Sequence, residues 1–416
     1  MPRYFVIISL LLLGIAVAQA EDVEPGKSAR PPIVVSAEAQ RIHDAAMLID
    51  GHNDLPWAIR EQGSPTFEKL DISQSQPKLH TDIPRLRTGG VKAQFWSVFV
   101  PASTRQEGVA LQTTLEQIAI VEAMMKRYPD VFELARSSAD IERICAQGKI
   151  ASLIGVEGGH SIENSLAVLR QLYAQGARYM TLTHSDTLDW ADSATDEQRH
   201  GGLTPFGEEV LREMNRLGML IDLSHVSIDT MKQALKVTKA PVIFSHSSAR
   251  AIADHPRNVP DDVLRLTADN GGVVMVNFYP GFIVPSAAKR GTEGIGVLRE
   301  LRNKFGSDRD RIRAEYKAWA ARYPVEPGTI HLVLDHIDHI AKTAGVDHVG
   351  IGSDFDGIDS VPIELEDVST YPRITQGLLD RGYDATAIQK ILGGNLLRVL
   401  KEAERVARER SVEQNP

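Results

Sequence analysis

Residues 48–56 read Leu-Ile-Asp-Gly-His-Asn-Asp-Leu-Pro, and the interpretation of the whole chain starts from this stretch. An apolar run leads into His52 and Asp54 and stops at Pro56. Residues two apart on a β-strand point to the same side, so His52 and Asp54 share a face at the carboxyl end of a strand. A neutral imidazole and a carboxylate suit a divalent metal such as zinc. Such a pair also occurs at ordinary polar strand ends, so its meaning depends on the other strands.

Short apolar runs rich in Val, Ile and Leu recur along the chain, and a helical pattern follows most of them. The eight predicted strands cover 46–52, 93–100, 150–156, 178–184, 219–225, 241–246, 272–278 and 348–354. Predicted helices include 112–127, 165–175, 206–217, 228–237 and 261–267. Apolar strands that alternate with helices indicate a parallel sheet covered on both faces. We therefore predict an α/β fold of the (β/α)8 TIM-barrel type, whose active sites lie at the carboxyl ends of the strands.

An open doubly wound sheet is the alternative fold, but the chain has no Gly-rich phosphate loop to support it. After the seventh predicted strand, residues 281–330 form an interval too long for a simple crossover, with ten Lys or Arg, six Asp or Glu and a helical pattern over 308–322. An insertion there is typical of a lid or of a subunit contact, which would make a homodimer one option. A solvated surface helix is the other interpretation.

Two further helices are expected near the C-terminus. One covers 331–344, with His331, His336 and His339 on a solvated face. The other closes the chain, with Asn395 as its N-cap. A surface metal site formed by these histidines with Asp335 and Asp338 is the less favoured alternative for the first helix.

The first 20 residues have the composition of an export signal. Arg3 is their only charge, an apolar stretch follows, and Ala18-Gln19-Ala20 forms a small-x-small cleavage site. A retained N-terminal anchor is the alternative, although the apolar stretch is short for a membrane span. We expect a signal peptide over 1–20, one domain over 21–416, and a periplasmic or secreted protein with no stable membrane anchor after cleavage.

The composition excludes some classes of function. The formal net charge is −9 and no basic patch is present, so nucleic acid is not an expected partner. Cys145 is the only cysteine, which excludes an intrachain disulfide. Its apolar surroundings indicate a small buried residue and not a nucleophile.

Six of the eight predicted strands end in a side chain that can bind a metal or carry a proton. These side chains are His52 and Asp54, Glu157, His184, His225, His246 and Asp354. The ends of barrel strands converge on one small mouth. Chance explains any one of these residues but explains the whole set poorly. The sequence therefore predicts a single active site at that mouth.

The number of donors indicates two metal ions. His52, His225 and His246, with the carboxylates Asp54 and Glu157, exceed what one tetrahedral zinc needs. Two ions about 3.5–4 Å apart that share a carboxylate would use all five donors. Glu157 is the expected bridge, because the two glycines after it allow backbone and metals to approach closely. Such a pair lowers the pKa of a shared water and yields hydroxide near neutral pH.

Three other residues have candidate roles in catalysis and substrate binding. Asp354 would bind a metal weakly or accept the proton of the bridging water. His184 would donate a hydrogen bond to an oxyanion. Arg257, in the loop after the sixth predicted strand, would grip a carboxylate with two hydrogen bonds, although an ordinary loop charge is the alternative.

Two neighbours of these residues are candidates to support the site from outside. Asp50 is in phase with His52 on the same strand and would orient the His52–Asp54 pair. His160 follows the Glu157-Gly158-Gly159 segment and would support the same region.

Together these motifs resemble the membrane dipeptidase (renal dipeptidase) family, peptidase family M19, whose members are amidohydrolase-type metal barrels. The matching stretches are Ile49-Asp50-Gly51-His52-Asn53-Asp54, Gly155-Val156-Glu157-Gly158-Gly159-His160, Leu182-Thr183-His184, Asp222-Leu223-Ser224-His225-Val226-Ser227, Phe244-Ser245-His246-Ser247-Ser248, Arg257-Asn258-Val259-Pro260-Asp261-Asp262 and Gly352-Ser353-Asp354-Phe355-Asp356-Gly357. They occur in this order along most of the chain.

The resemblance implies an enzyme that uses two zinc ions to cleave dipeptides. By this resemblance, His52 and Asp54 match ligands of one zinc, and His225 and His246 match ligands of the other. Glu157 matches the bridging ligand. The substrate class, dipeptides, comes from the resemblance alone.

The resemblance also assigns the remaining residues and shows one departure. His184 and Arg257 match substrate-binding positions, and Asp354 matches the residue proposed for proton transfer. Residues 185–192 read Ser-Asp-Thr-Leu-Asp-Trp-Ala-Asp, where relatives have a Cys-Asn-Thr-Pro-Trp type of stretch. The preference for substrate side chains is therefore not carried over.

Two other functions remain open at this point. A lactonase or cyclic-amide hydrolase on the same scaffold is the second hypothesis, because a fold does not fix a substrate. A non-catalytic metal-binding protein is the third. It predicts a missing ligand or base, whereas every expected position is filled here.

Overall fold

The computed structural model describes residues 30–63, 65–306 and 308–414. The predicted signal peptide over 1–20 lies outside these residues. No helix in the described part of the chain is long and apolar enough to cross a membrane.

All paired strands run parallel and eight of them close into a barrel, which confirms the predicted fold. The strands are β1 Leu48–Asn53, β2 Val91–Phe99, β3 Phe132–Leu134, β4 Ile150–Glu157, β5 Ala177–Thr181, β6 Leu220–Asp222, β7 Ile243–Phe244, β8 Val273–Val276 and β9 Val349–Ile351. Their order around the sheet is β2-β1-β9-β8-β7-β6-β5-β4, and the pairing of β2 with β4 closes the ring. Each predicted strand overlaps one of these eight.

The short strand β3 is the one that the sequence did not predict. It pairs with the first three residues of β4, Ile150 to Ser152. Strand β5 pairs with the remaining part of β4, from Ile154 to Glu157. Strand β3 therefore pairs with the part of the β4 edge that β5 leaves free, and it is not a ninth strand of the closed barrel.

The helices cover the outside of the barrel and both of its ends. They are α1 Ala37–Ala45, α2 Leu55–Glu61, α3 Ile83–Thr88, α4 Ser103–Glu107, α5 Ala110–Arg127, α6 Ser138–Ala146, α7 Leu166–Gln175, α8 Pro205–Leu217, α9 Ile228–Val237, α10 Asp261–Asn270, α11 Pro280–Ile283, α12 Pro285–Phe305, α13 Arg309–Ala320, α14 Ile330–Ala344, α15 Tyr371–Asp380, α16 Ala385–Gln389 and α17 Asn395–Gln414.

Helix α8 shows how local sequence sets these boundaries. The Thr204 hydroxyl accepts from the Gly207 N–H at the start of the helix, and Pro205 occupies the first turn, where its missing N–H costs nothing. Gly218 ends the helix in a left-handed conformation with φ of 76°. Between these ends, Val210, Leu211 and other apolar residues are buried. The predicted helix over 206–217 differs by one residue.

Adjacent strand residues contribute to different parts of the core. Leu48 belongs to a large cluster that also contains apolar residues of the outer helices, such as Val210 of α8. Ile49, Phe95 and Tyr179 belong to a second cluster that continues into α17. This alternation follows from the strand period of two, and it leaves both faces of the sheet apolar.

Residues 281–330 form a helical insertion after β8. It comprises most of α11, then α12 and α13, and α13 covers nearly all of the helical pattern expected over 308–322. A methyl group at Gly294 of α12 would lie 2.8 Å from the Tyr316 hydroxyl and 3.0 Å from the Trp319 ring, so α13 packs closely on α12.

Two expectations for the C-terminal helices are wrong. His336 is fully buried within α14 and not solvated: its Nδ1 accepts from the Ala249 N–H at 3.0 Å and its Nε2 donates to the Ile283 carbonyl at 3.1 Å. Asn395 is not an N-cap, because it has helical backbone angles itself and the departure from helical geometry lies earlier, at Gly393, with φ of 168° and ψ of −19°. Its side-chain amide donates to the carbonyls of Val346 and Val349 instead.

Candidate active site

The predicted site residues all lie at the carboxyl end of the barrel, but several lie beyond the strands. His52 is within β1 and Glu157 is the last residue of β4. His246 lies two residues after β7, whereas His184, His225 and Asp354 each lie three residues after their strands. These strands are therefore shorter than predicted, and loops carry the side chains. Asp54 directly follows β1, and Arg257 lies in the loop between β7 and α10.

Glu157 lies at the centre of the site, and its two oxygens face different groups. Its Oε2 is 3.5 Å from His52 Nε2 and accepts a hydrogen bond from the Ser97 hydroxyl at 3.0 Å. Its Oε1 is 3.1 Å from His225 Nε2 and 3.5 Å from His246 Nε2. This arrangement is that of a carboxylate shared between two ligand sets.

The donor atoms form three overlapping groups, each with all its atoms within 4.8 Å of one another. The groups are His52, Glu157 and His246; Glu157, His184 and His225; and His52, Asp54 and Asp354. His52 Nε2 and Asp54 Oδ1 are buried and have no hydrogen-bond partner within the described part of the chain. Buried polar atoms without partners are costly, so an arrangement of this kind fits cations bound between them.

The charge states of these groups also suit a metal site. Burial favours the neutral form of Glu157, yet the imidazoles of His52 and His225 hold its pKa well below the usual value. Burial lowers the pKa of both His225 and His246, so their imidazoles are neutral and available as ligands. The result is an anionic carboxylate beside the neutral nitrogens of His225 and His246. Burial also lowers the pKa of His52, but Tyr179, Glu157 and Asp54 together raise it well above the usual value, so this imidazole supplies positive charge beside Glu157 that a bound cation would replace.

Two hydrogen-bonded contacts orient the histidine rings, and neither was predicted from the sequence. His246 Nδ1 is 2.7 Å from the Ser245 hydroxyl, which donates to Asp222 Oδ2 at 2.6 Å. His52 Nδ1 is 2.8 Å from the Tyr179 hydroxyl. Protons on these Nδ1 atoms leave each Nε2 lone pair free for a metal. Ser245 and Asp222 lie inside the sequence stretches that match the family, and this position could have identified them. No sequence pattern pointed to Tyr179.

The position of the Tyr179 ring depends on a glycine of the neighbouring strand. A methyl group at Gly155 would lie 1.9 Å from Tyr179 Cζ, so only glycine leaves room for the ring. Tyr179 is fully buried, and its hydroxyl is placed where it meets His52. Packing between β4 and β5 therefore sets the orientation of a ligand on β1.

Asp50 supports the site in a different way from the one expected. It accepts hydrogen bonds from the Ser353 N–H at 2.9 Å, the Ser353 hydroxyl at 2.6 Å and the Tyr371 hydroxyl at 2.7 Å. Its only bond to His52 is from the backbone N–H, at 3.2 Å. Asp50 thus ties β1 to the loop that carries Asp354 and does not orient the His52 ring.

Asp354 is held in a conformation that brings it against Asp54. Its backbone has φ of 66°, which is uncommon for a residue with a side chain. The Asn277 amide donates to Asp354 Oδ2 at 2.8 Å. A methyl group at Gly357 would lie 2.7 Å from Asp354 Oδ1 and 2.2 Å from Asp54 Oδ2. Burial, followed by the charges of Asp54 and Glu157, raises the pKa of Asp354 to about 8.

His184 forms one side of the mouth. Its Nε2 is 3.7 Å from Glu157 Oε1, and its buried Nδ1 has no partner among the described residues. Its ring packs against Phe99 and His225, with centroid distances of 4.9 Å and 4.3 Å. Burial lowers its pKa, so the imidazole is neutral. With 22% of its side chain exposed, it is the most accessible histidine of the site.

Arg257 is a buried cation whose bonds do not use its full capacity. It donates to the Ser247 hydroxyl at 3.4 Å and to the His246 carbonyl at 3.3 Å, and its Nε has no partner among residues 30–63, 65–306 and 308–414. Burial lowers its pKa to about 10, so it stays charged at neutral pH. The guanidinium lies over the Phe282 ring, 5.1 Å from its centroid. Such a group is poised to bind an anion that enters the mouth.

His160 forms its hydrogen bond with the backbone and not with a metal-binding candidate. Its Nε2 bonds to the Val100 carbonyl at 3.1 Å, which places it between the loops after β2 and β4. Burial lowers its pKa to about 4. We conclude that it holds these loops together as a neutral imidazole.

Comparison with known proteins agrees with this geometry. The sequence profile of the membrane dipeptidase family (Peptidase family M19) matches residues 36–414. The chain belongs to this family. Dipeptidase 3 of Mus musculus is 42% identical over 374 residues, which are 89% of this chain. The chain spans 66% of the length of that relative.

Solved structures of similar fold include other proteins named as dipeptidases. The probable dipeptidase PvdM from Pseudomonas aeruginosa has a TM-score of 0.78 at 25% identity, covering 89% of this M19 chain and 98% of that chain. A metallo peptidase from Rhodobacter sphaeroides, liganded with a phosphinate mimic of the dipeptide L-Ala-D-Ala, has a TM-score of 0.68 at 23% identity. It covers 86% of this chain and 99% of that chain.

The contact between Tyr179 and His52 leads to a testable expectation. Tyr179→Phe removes the partner of His52 Nδ1 and should lower zinc affinity by about tenfold, since such partners fix the ring and its tautomer. Competition with a chromophoric chelator measures the affinity. The matched control is Tyr128→Phe, whose hydroxyl donates to Asp71 at 2.9 Å away from the metal-binding candidates. An equal loss in both variants would contradict the assigned role.

Proposed function

We propose that this chain is a zinc-dependent dipeptidase that holds two metal ions. The arrangement of Glu157 supports the proposal most strongly, because its two oxygens face separate donor sets. His52 and Asp54 would complete one set, and His225 and His246 the other. Family membership favours dipeptides over lactones or cyclic amides as substrates.

The donor set determines which chemistry is available. When bound, two zinc ions supply a hydroxide nucleophile near neutral pH and polarise the carbonyl of the scissile bond. The residues around them define the space that a substrate fills. His184 and Asp354 would border this space from two different ligand groups: His184 belongs to the group of Glu157 and His225, and Asp354 to the group of His52 and Asp54.

Arg257 would bind the C-terminal carboxylate of the substrate. Its guanidinium is charged, buried and bonded only to neutral oxygens. A buried cation discriminates strongly in favour of an anionic partner. Binding the terminal carboxylate next to the scissile bond would restrict the substrate to dipeptides, because a longer chain would place that charge elsewhere.

His184 and Asp354 would handle the developing charge and the proton. His184 would donate a hydrogen bond to the carbonyl oxygen as negative charge builds up on it. Asp354 Oδ2 is occupied by the Asn277 amide, so Oδ1 is the atom that would take the proton and pass it to the leaving amine. Burial and the charges of Asp54 and Glu157 raise the pKa of Asp354, which makes its carboxylate a stronger base for this proton than an exposed aspartate.

Removing and restoring metal tests the proposal directly. Protein stripped by a chelator should lose hydrolysis of L-Ala-L-Ala and L-Ala-D-Ala, and zinc should restore it. Elemental analysis of the restored protein should give two zinc ions per chain. Full activity in demonstrably metal-free protein would refute a metal-dependent mechanism, and saturation of activity at one ion would refute the two-metal centre.

If Arg257 binds the terminal carboxylate of the substrate, replacing it should remove the preference for a free over an amidated C-terminus. The parent should cleave a free dipeptide much faster than its C-terminally amidated form, since losing the partner of a buried charge costs about 2–5 kcal/mol. Arg257→Ala should cleave the two at similar rates, measured as kcat/KM. Arg250→Ala is the matched control, because Arg250 lies in the same loop but pairs with exposed Asp254. Unchanged discrimination in Arg257→Ala would remove this residue from the role.

We also propose that the chain is exported and cleaved after Ala20. The apolar stretch and small-x-small site of the first 20 residues support this proposal. Mass spectrometry of protein from the native organism should find Glu21 at the mature N-terminus. Recovery of the intact leader on membrane-bound protein would support the retained anchor instead.

A further inference from the structure

A charged cavity of about 650 Å³ lies between the helical insertion and the loop after β5. Helices α12 and α13 form one wall. The other wall comes from residues of the loop after β5, between Ser185 and Arg199, and from residues in and next to α4. No role in metal binding or proton transfer has been assigned to the residues of this cavity.

The cavity adjoins the mouth of the barrel on the side of His184. Ser185 and Asp186 line it and directly follow His184 in the chain. Ala102 and Ser103 also line it and follow β2, whose last residue, Phe99, packs against the His184 ring. Because these lining residues adjoin His184, part of a substrate bound beside His184 would be able to reach the cavity.

The cavity also lies across the mouth from Arg257. Arg257 follows β7, and in the closed ring of eight strands β7 is opposite β2. A dipeptide whose terminal carboxylate is bound by Arg257 would extend away from β7. Its amino-terminal residue would then lie nearer to the cavity.

Arginines and acidic residues both line the cavity, but they are not equally paired. Arg302 is 3.6 Å from Asp186 and 3.9 Å from Asp196, so it is shared between two carboxylates. Asp186 also accepts from the Ser185 hydroxyl, and Asp196 from the Thr187 N–H. Both carboxylates are thus already engaged.

The other three arginines of the cavity lack such partners. Within the described residues, Arg199, Arg299 and Arg313 have no carboxylate within 4.0 Å. Glu197 is the one acidic side chain of the lining without a cation at that distance among the described residues. An acidic side chain entering the cavity would meet unpaired guanidinium groups, whereas a basic one would meet mainly their repulsion.

We propose that this cavity is a specificity site for an acidic side chain on the amino-terminal residue of the dipeptide. Arg299 and Arg313 are its specificity-determining residues. The proposal rests on the proposed dipeptidase function and adds a substrate class to it. Because these arginines are solvent-accessible, each should change the preference by a few-fold and not by orders of magnitude.

Isosteric substrates test the charge without changing the size of the side chain. The zinc-loaded parent should have a higher kcat/KM for Glu-Ala than for Gln-Ala, and the lowest for Lys-Ala. Arg299→Glu and Arg313→Glu should each lower the Glu-Ala to Gln-Ala ratio by about fivefold, and the Gln-Ala value itself should stay unchanged. The ratio in the parent should also decrease toward one at 1 M salt, where charges are screened within about 3 Å.

Lys289→Glu is the matched control, because it makes the same charge reversal on α12 at a residue outside the cavity lining. It should leave the ratio at the parental value. An equal effect of Lys289→Glu would show a long-range effect of net charge and overturn the cavity as the cause. The variants could instead change the Ala-Glu to Ala-Gln ratio and leave the Glu-Ala to Gln-Ala ratio unchanged. That result would overturn the assignment to the amino-terminal residue.

Failure of the specificity site can be distinguished from failure of the dipeptidase function. If the parent cleaves Gln-Ala but shows no preference for Glu-Ala, the specificity site is wrong and the dipeptidase function stands. If zinc-loaded protein cleaves none of these dipeptides, and none of the L-Ala-L-Ala type, the proposed function is wrong and the specificity site with it.

Discussion

The buried carboxylate of Glu157 is the constraint on which the site depends. An isolated ionised group in a protein interior is expensive unless charges and hydrogen bonds compensate it. Here the Ser97 hydroxyl donates to it, and the imidazoles of His52 and His225 face it from two other parts of the strand ring. A closed ring of parallel strands is what brings these groups around one carboxylate, because all its strand ends point to the same mouth.

Two other buried aspartates keep the surrounding loops in place. Asp222 accepts from Thr181, from the Ser224 N–H and from both the N–H and hydroxyl of Ser245, so it links three consecutive strand ends. Asp50 does the same between β1 and the segment around Ser353. These bonds stabilise loops in which His225 and Asp354 have positive φ values of 69° and 66°. Strain of this kind persists where surrounding contacts fix the backbone.

The insertion takes part in the site and does not only cover it. Its first turn contains Phe282, whose ring lies under the Arg257 guanidinium and whose carbonyl accepts from the Asn258 amide. Buried His336 joins the next residue, Ile283, to Ala249 in the loop that carries Arg257. The same insertion reaches the loop after β5 through Arg302. One segment therefore connects the Arg257 side of the mouth with its opposite side.

The sequence by itself determined the order of the strands and the donors at their ends, because strand period and chain direction are local properties. It could not determine contacts between distant segments, such as Tyr179 with His52 or Phe282 with Arg257, since no local pattern encodes them. For the same reason it misjudged His336, whose helical spacing does not show what packs on it. Only the tertiary structure decided which oxygen of Glu157 faces which histidines, because that depends on how the closed barrel aims each side chain.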